Sequence, residues 1–398
     1  MQRRDFIRRS ITAGAGLPLA MGSRMLFAAP DAPARLLVVF LRGGYDAASL
    51  LVPHTSDYYY EQRPNIAVAR PGTGADAALP LDADWSLAPA LRDSVWPLFL
   101  KQQAAFVPFA GTDDLSRSHF ETQDSIELGQ PLQGSRNFRS GFMNRLAAVL
   151  GTKDAIAFTD QLPLVFRGDV QVPNLALRSI GRPGIDARQS GIITAMYGGT
   201  RLAGAVREGF EVRSQATQAL AGEMVAANRN AITAKGFEAE ARRIGKLMRD
   251  RYQLGFVDVG GWDTHVGQGN GSGYLANRLG ELGKGLAAFA DESGEAWSRT
   301  VVLVVSEFGR TFKENGNRGT DHGHGSVFWA LGGAVRGGRV VGDQVAVAPA
   351  TLFQNRDYPV LNEYRAVFGG IFARLYGLSK DRLEQVFPHS VAKDIGLV

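Results

Sequence analysis

Five short, uninterrupted apolar runs constrain this chain more than any other feature: Leu36–Leu41 (LLVVFL), Ala104–Phe109 (AAFVPF), Leu254–Val259 (LGFVDV), Val301–Val305 (VVLVV) and Val327–Leu331 (VFWAL). A strand that alternates apolar and polar residues buries one face, whereas a continuous run needs apolar cover on both. These runs are too short for buried helices, so they predict strands of a parallel sheet held between helices. Pro163–Phe166 is a candidate for a further strand. The stretches between the runs supply the cover, with helices expected over Ser118–Leu128, Phe138–Leu150, Thr200–Tyr252 with breaks, Tyr274–Asp291 and Glu363–Tyr376. In the last, Tyr364, Val367, Phe368, Ile371, Phe372 and Leu375 fall at helical spacing, which makes a core-facing stripe. This alternation predicts a doubly wound, mainly parallel α/β sheet flanked by helices. It forms one domain over residues 31–398, with a helical insertion at about 197–253 that serves as a cap or an oligomer contact.

Composition then limits the chemistry. The chain has 398 residues and no Cys, which removes disulfides, thiolate-bound metals and Cys nucleophiles, and leaves Ser/Thr, His, Asp/Glu and Arg. The formal charge of +5 is concentrated at the start: Arg3, Arg4, Arg8, Arg9 and Arg24 against Asp5 give +4, so the rest carries only +1. A nearly neutral body without basic runs excludes nucleic acid as an expected partner. Residues 1–30 combine a charged start, Arg3-Arg4-Asp5-Phe6-Ile7-Arg8, with a mildly apolar Gly/Ala stretch. The pattern resembles a twin-arginine export signal, with cleavage expected between Ala28 and Ala34 and a periplasmic or secreted mature protein. No later run reaches the roughly 18 apolar residues of a membrane span.

In an open α/β sheet the ligand crevice lies beyond the carboxyl ends of the strands, so the residues bordering each run are where chemistry is expected. LLVVFL is followed by Arg42-Gly43-Gly44-Tyr45-Asp46, AAFVPF by a turn and Ser116-Arg117-Ser118-His119, LGFVDV by Gly260-Gly261-Trp262-Asp263-Thr264-His265, and VVLVV by Ser306-Glu307-Phe308-Gly309-Arg310. Thr320-Asp321-His322-Gly323-His324-Gly325 precedes VFWAL. Asp263 and His265, and likewise His322 and His324, are two apart, a spacing that in extended backbone turns both side chains to one side, where they can share a metal. Four of the six His, counting His119, fall in these loops, together with Asp46 and Glu307. Oxygen and nitrogen ligands without thiolate suit Zn or Mn. Ser116 and Ser118 stand at an expected helix N-terminus, where a Ser serves either as a nucleophile beside a metal or as a cap, with Glu121 completing a capping box from Ser118. Arg310 is a candidate for bidentate binding of anionic oxygens, with an ordinary ion pair as the alternative. Arg42 and the glycines after it read as a turn, since neither a P-loop nor a dinucleotide fingerprint is present.

Taken together, FLRGGYDAASLLVP, SRSHFETQDSIELG, GGWDTH and VVSEFGRTFKENGNRGTDHGHGSVFWALGG resemble the DUF1501 family, exported bacterial proteins related to the alkaline phosphatase and sulfatase superfamily. The resemblance implies that Asp46 is the first-strand aspartate ligand of one metal and that Ser118 or Ser116 stands at the nucleophile position. It further implies that Asp263 and His265 serve the other metal, that Glu307 takes the place of a later strand-end aspartate, and that His322 or His324 is the last metal histidine. Where phosphatases commonly follow that strand-end acid with His, this chain has Phe308, which leaves a nitrogen to be supplied by His119 or His322. The expected function is a metal-dependent hydrolase of small phosphate or sulfate esters, with one or two divalent ions and a seryl nucleophile. The alternative is a periplasmic binding or assembly protein that keeps the fold with a depleted metal site.

Overall fold

The computed structural model describes residues 33–177, 187–211 and 236–398. The expected export segment, residues 1–30, lies outside them, as does 212–235 of the expected insertion. Pro33–Val398 forms one compact unit.

The strands, in chain order, are β1 (Arg35–Arg42), β2 (Leu51–Pro53), β3 (Leu79–Pro80), β4 (Trp85–Leu87), β5 (Ala104–Gly111), β6 (Ala155–Ala157), β7 (Leu254–Gly260), β8 (Thr300–Ser306), β9 (Ser326–Leu331), β10 (Arg339–Val340) and β11 (Asn362–Glu363). Among the described residues the main sheet runs β10-β5-β9-β8-β1-β7-β6, with β11 beside β5, and β2-β4-β3 form a small antiparallel sheet. All five apolar runs are strands of the main sheet. β6, β7, β1 and β8 are mutually parallel neighbours, whereas β9 is antiparallel to both β8 and β5. A continuous apolar run reports burial of both faces and carries no information on direction, so the reversal of VFWAL was not legible in it.

Both faces of β1 are indeed covered. Leu37, Val39 and Leu41 pack into one core with Ile244, Leu247 and Met248 of the helix Phe237–Asp250 and with Leu279, Leu282 and Leu286 of Tyr274–Ser293. Leu36, Val38 and Phe40 face the other core, with Phe142, Met143 and Leu146 of Phe142–Leu150 and the stripe Tyr364, Val367, Phe368, Ile371 and Phe372 of Tyr364–Tyr376. Four of the expected helices form with shifted ends, and of Thr200–Tyr252 the described part includes the helix Phe237–Asp250. Pro163–Phe166 differs from expectation: Leu164–Phe166 is a 3-10 turn, and the strand beside β7 is the three-residue β6. Such a short segment is set by its neighbour's free edge rather than by its own pattern. Within β5, Pro108 cannot donate to the ladder, and the pairing with β9 shifts register between Val107 and Ala110.

The sheet gathers the motifs at one edge. β1, β5, β7 and β8 end there, and antiparallel β9 begins there, which is why His322 precedes its strand while the other candidates follow theirs.

Candidate metal centre

Two glycines let the loops close over this edge. Gly43 has φ +126°, and a Cβ on it would stand 2.7 Å from the Asp263 amide nitrogen; Gly44 has φ +62°, and a Cβ there would meet the Phe308 ring at 2.4 Å. The turn expected after β1 thus brings the loops after β7 and β8 against one another.

On this floor His119, His265 and His322 converge on Asp263. Oδ1 of Asp263 is 2.9 Å from His265 Nε2 and 3.2 Å from His322 Nε2, Oδ2 is 3.6 Å from His119 Nε2, and the His265 and His322 Nε2 atoms are 3.2 Å apart. Phe308 lies against the rings of His119 and His322, with centroids 4.9 and 5.0 Å away. Phe308 is therefore packing support for both rings.

Each imidazole is oriented from its far side. His119 Nδ1 lies 2.8 Å from Glu307 Oε1, His322 Nδ1 lies 3.0 Å from the Arg117 carbonyl oxygen, and His265 Nδ1 lies 3.2 Å from Asp321 Oδ1. Carboxylates and carbonyls only accept, so all three Nδ1 atoms carry hydrogen and each ring turns its Nε2 toward Asp263. Lone pairs facing a carboxylate repel unless a proton or a cation stands between them. A tetrahedral Zn site with bonds of 2.0–2.1 Å has ligand atoms about 3.3 Å apart, close to the spacings here. The donor set fits a divalent ion: one ligand atom each from His119, Asp263 and His322 lies within 4.8 Å of the other two, and His265 Nε2 stands beside the last pair.

Charge at the site is arranged for this. Burial pushes the Asp263 carboxyl up, but the Arg310 bond and charge, with His265 and His322, hold it below its ordinary range. Glu307 is buried, and burial alone would raise it; the donors His119, Gln123 and the Gly43 amide bring it down. That carboxylate raises His119, while burial and the neighbouring His119 charge lower His322.

The remaining sequence candidates are placed as follows. Asp46 lies off the His cluster: Arg63 Nη1 and Nη2 reach its two oxygens at 2.6 and 3.0 Å, and Ser49 and Gln268 each donate to it at 2.7 Å. Both Asp46 and Arg63 are buried, so a guanidinium holds the place the family resemblance gave to a metal ion. Arg310 has no exposed side-chain surface, and its Nη1, Nε and Nη2 donate to Asp263, the Thr320 hydroxyl and the Thr320 carbonyl. In this structure it orients Asp263, and the fork expected for an anion is already engaged. Glu307 holds His119 rather than pointing an open oxygen at the cluster. His324 is buried with its ring against Phe353, apart from the convergent group, so the spacing of two does not bring it beside His322 in the cluster. Ser118 occupies the N-cap of the helix His119–Leu128, yet its side chain makes no capping hydrogen bond and the expected box with Glu121 is absent. The Ser116 hydroxyl lies 3.3 Å from that of Thr122. Sequence reasoning passed over Arg117, Asp321, Gln123, Thr320, Gln268 and Arg63 as site residues. The first four lie within the quoted motifs, so adjacency was a signal; Arg63 and Gln268 are joined to the site only by folding.

No curated protein matches the chain. Solved structures similar to it include Ps i-CgsB in complex with k-i-k-neocarrahexaose, at 10% identity and a TM-score of 0.35, covering 92% of this chain and 76% of that one. A protein in the alkaline phosphatase superfamily from Vibrio parahaemolyticus is similar at 13% identity and a TM-score of 0.35, covering 76% of this chain and 60% of that one, so the chain spans less than two thirds of that relative. At such scores these likenesses add nothing to the argument from the side chains. The model of the family described as protein of unknown function (DUF1501) matches residues 33–387, and the chain belongs to that family.

Proposed function

We propose that this protein is an exported, metal-dependent hydrolase of small phosphate or sulfate esters, holding Zn or Mn at His119, Asp263, His265 and His322. The observation that carries the reading is the convergence of three oriented Nε2 atoms and one carboxylate at a partly open position, Asp263 being 44% exposed. A bound ion would polarise ester oxygens and lower the pKa of a neighbouring hydroxyl. Ser118, next to His119 at a helix N-terminus and free of a capping bond, supplies the nucleophile: its oxygen attacks phosphorus or sulfur, the alcohol leaves, and water then releases the acid. The pairing of Asp46 with Arg63 supports one ion per chain rather than two.

Elemental analysis of the purified protein, followed by a screen of aryl phosphates and aryl sulfates, tests the reading. About one ion per chain, lost in Asp263→Ala, with turnover lost in Ser118→Ala, is the expected result. Bound metal without turnover of either ester class would instead establish the second reading, a metal-holding binding or assembly protein. The observation that favours this alternative is Arg310, whose guanidinium is engaged by Asp263 and Thr320 rather than open to a substrate anion. Export is checked by fractionation, with Arg3→Lys/Arg4→Lys retaining the precursor in the cytoplasm.

A further inference from the structure

Arg117 holds a left-handed backbone, φ +52°, that residues with a Cβ rarely adopt. It is this residue's carbonyl that accepts the His322 Nδ1 hydrogen bond at 3.0 Å, so the aim of His322 depends on a conformation Arg117 would not choose by itself. Something must hold it. Its guanidinium is fastened to Asp357, with Nε and Nη2 at 3.0 and 2.7 Å from Oδ2, while Nη2 also reaches Gln354 Oε1 at 2.8 Å. Asp357 is fully buried, and its own place is set by backbone pairing with Phe353 and Thr311. It also receives Arg356 Nη1 at 3.0 Å, and Arg356 Nη2 donates to the His322 carbonyl at 2.9 Å.

We propose that Asp357 is a positioning residue for His322, acting through the left-handed backbone of Arg117. The inference rests on the metal-site reading for its importance, but the linkage Asp357–Arg117–His322 stands apart from that reading. Removal of a group that orients a metal-bound histidine typically weakens metal affinity about 10–100-fold. Asp357→Asn keeps the shape and removes the charge that clamps Arg117. Arg117→Gly keeps the carbonyl and reaches φ +52° without a steric penalty, so it relieves the need for the clamp.

Two readouts on the full-length protein test this: Zn²⁺ affinity by chelator competition, and the ring tautomer of His322 in the metal-free protein by nitrogen NMR. Asp357→Asn is expected to weaken Zn²⁺ binding about 10–100-fold and to lose the single Nδ1–H tautomer. Adding Arg117→Gly to it should restore both, and Arg117→Ala alone, which keeps the Cβ and loses the clamp, should be weak where Arg117→Gly alone is not. Unchanged affinity and tautomer in Asp357→Asn, or a double variant as impaired as the single one, would overturn the proposal. If Asp357→Asn does not fold, the comparison of Arg117→Ala with Arg117→Gly decides it. A wild-type protein that takes no Zn²⁺ but shows the same tautomer changes would sink the metal-site reading and sustain the positioning role.

Discussion

At the scale of single residues, burial decides what each charged group does. Arg63 and Asp46 are sealed in the interior, with the guanidinium also over the rings of Tyr59 and Phe312 at 5.5 and 5.4 Å. Burying an ion pair brings little net stability, but removing one partner strands the other. Arg63→Met is therefore expected to lower the unfolding free energy by about 3–5 kcal/mol, measured in urea, because Asp46 is left uncompensated. His324 gives the pH counterpart. Burial, assisted by the Arg117 charge, lowers its pKa from 6.5 to about 4. A histidine depressed in the folded state favours the native protein when neutral, so its contribution is complete above pH 6.5 and is lost as the pH falls toward 4. The gap corresponds to about 3 kcal/mol. Urea titrations at pH 7.5 and pH 4 should show a smaller acid loss in His324→Gln than in the parent, and equal losses would refute the assignment.

At the scale of elements, the site is held by loops that approach more closely than side chains allow. Gly44→Ala places a Cβ in a left-handed position, about 1–2 kcal/mol unfavourable, and drives it into the Phe308 ring that supports His119 and His322. Lower stability together with weaker Zn²⁺ binding is expected, read by denaturation and by chelator competition; unchanged metal affinity would mean the Phe308 floor is dispensable. The helix His119–Leu128 separates two roles for Ser118. A capping hydroxyl contributes typically about 1 kcal/mol, but this one makes no cap bond, so Ser118→Ala should alter stability by less than about 0.5 kcal/mol. A loss of about 1 kcal/mol with activity retained would return Ser118 to a capping role.

At the scale of the whole molecule, the cluster joins the loops after β5 and β7 to the connection between β8 and β9, so an ion bound there ties distant segments of the chain together. A ligand that binds only the folded state adds about 2.7 kcal/mol at 100 times its Kd. Zn²⁺ should raise the thermal midpoint, EDTA should reverse the rise, and His322→Ala should abolish it; a metal-insensitive midpoint in the parent would count against the centre.

The sequence by itself determined the layered α/β sheet, because runs such as VVLVV can be satisfied only by apolar cover on both faces, and it marked the loops carrying Asp263, His265, His119 and His322 because they border those runs. What it left open is what proximity decides. The direction of VFWAL, the short β6, the turning away of His324 from His322 two residues before it, and the capture of Asp46 by Arg63 all depend on groups remote in the chain. Local pattern records what a segment must bury; the partner of a buried charge or of an imidazole nitrogen is chosen only when the tertiary fold brings the loops together.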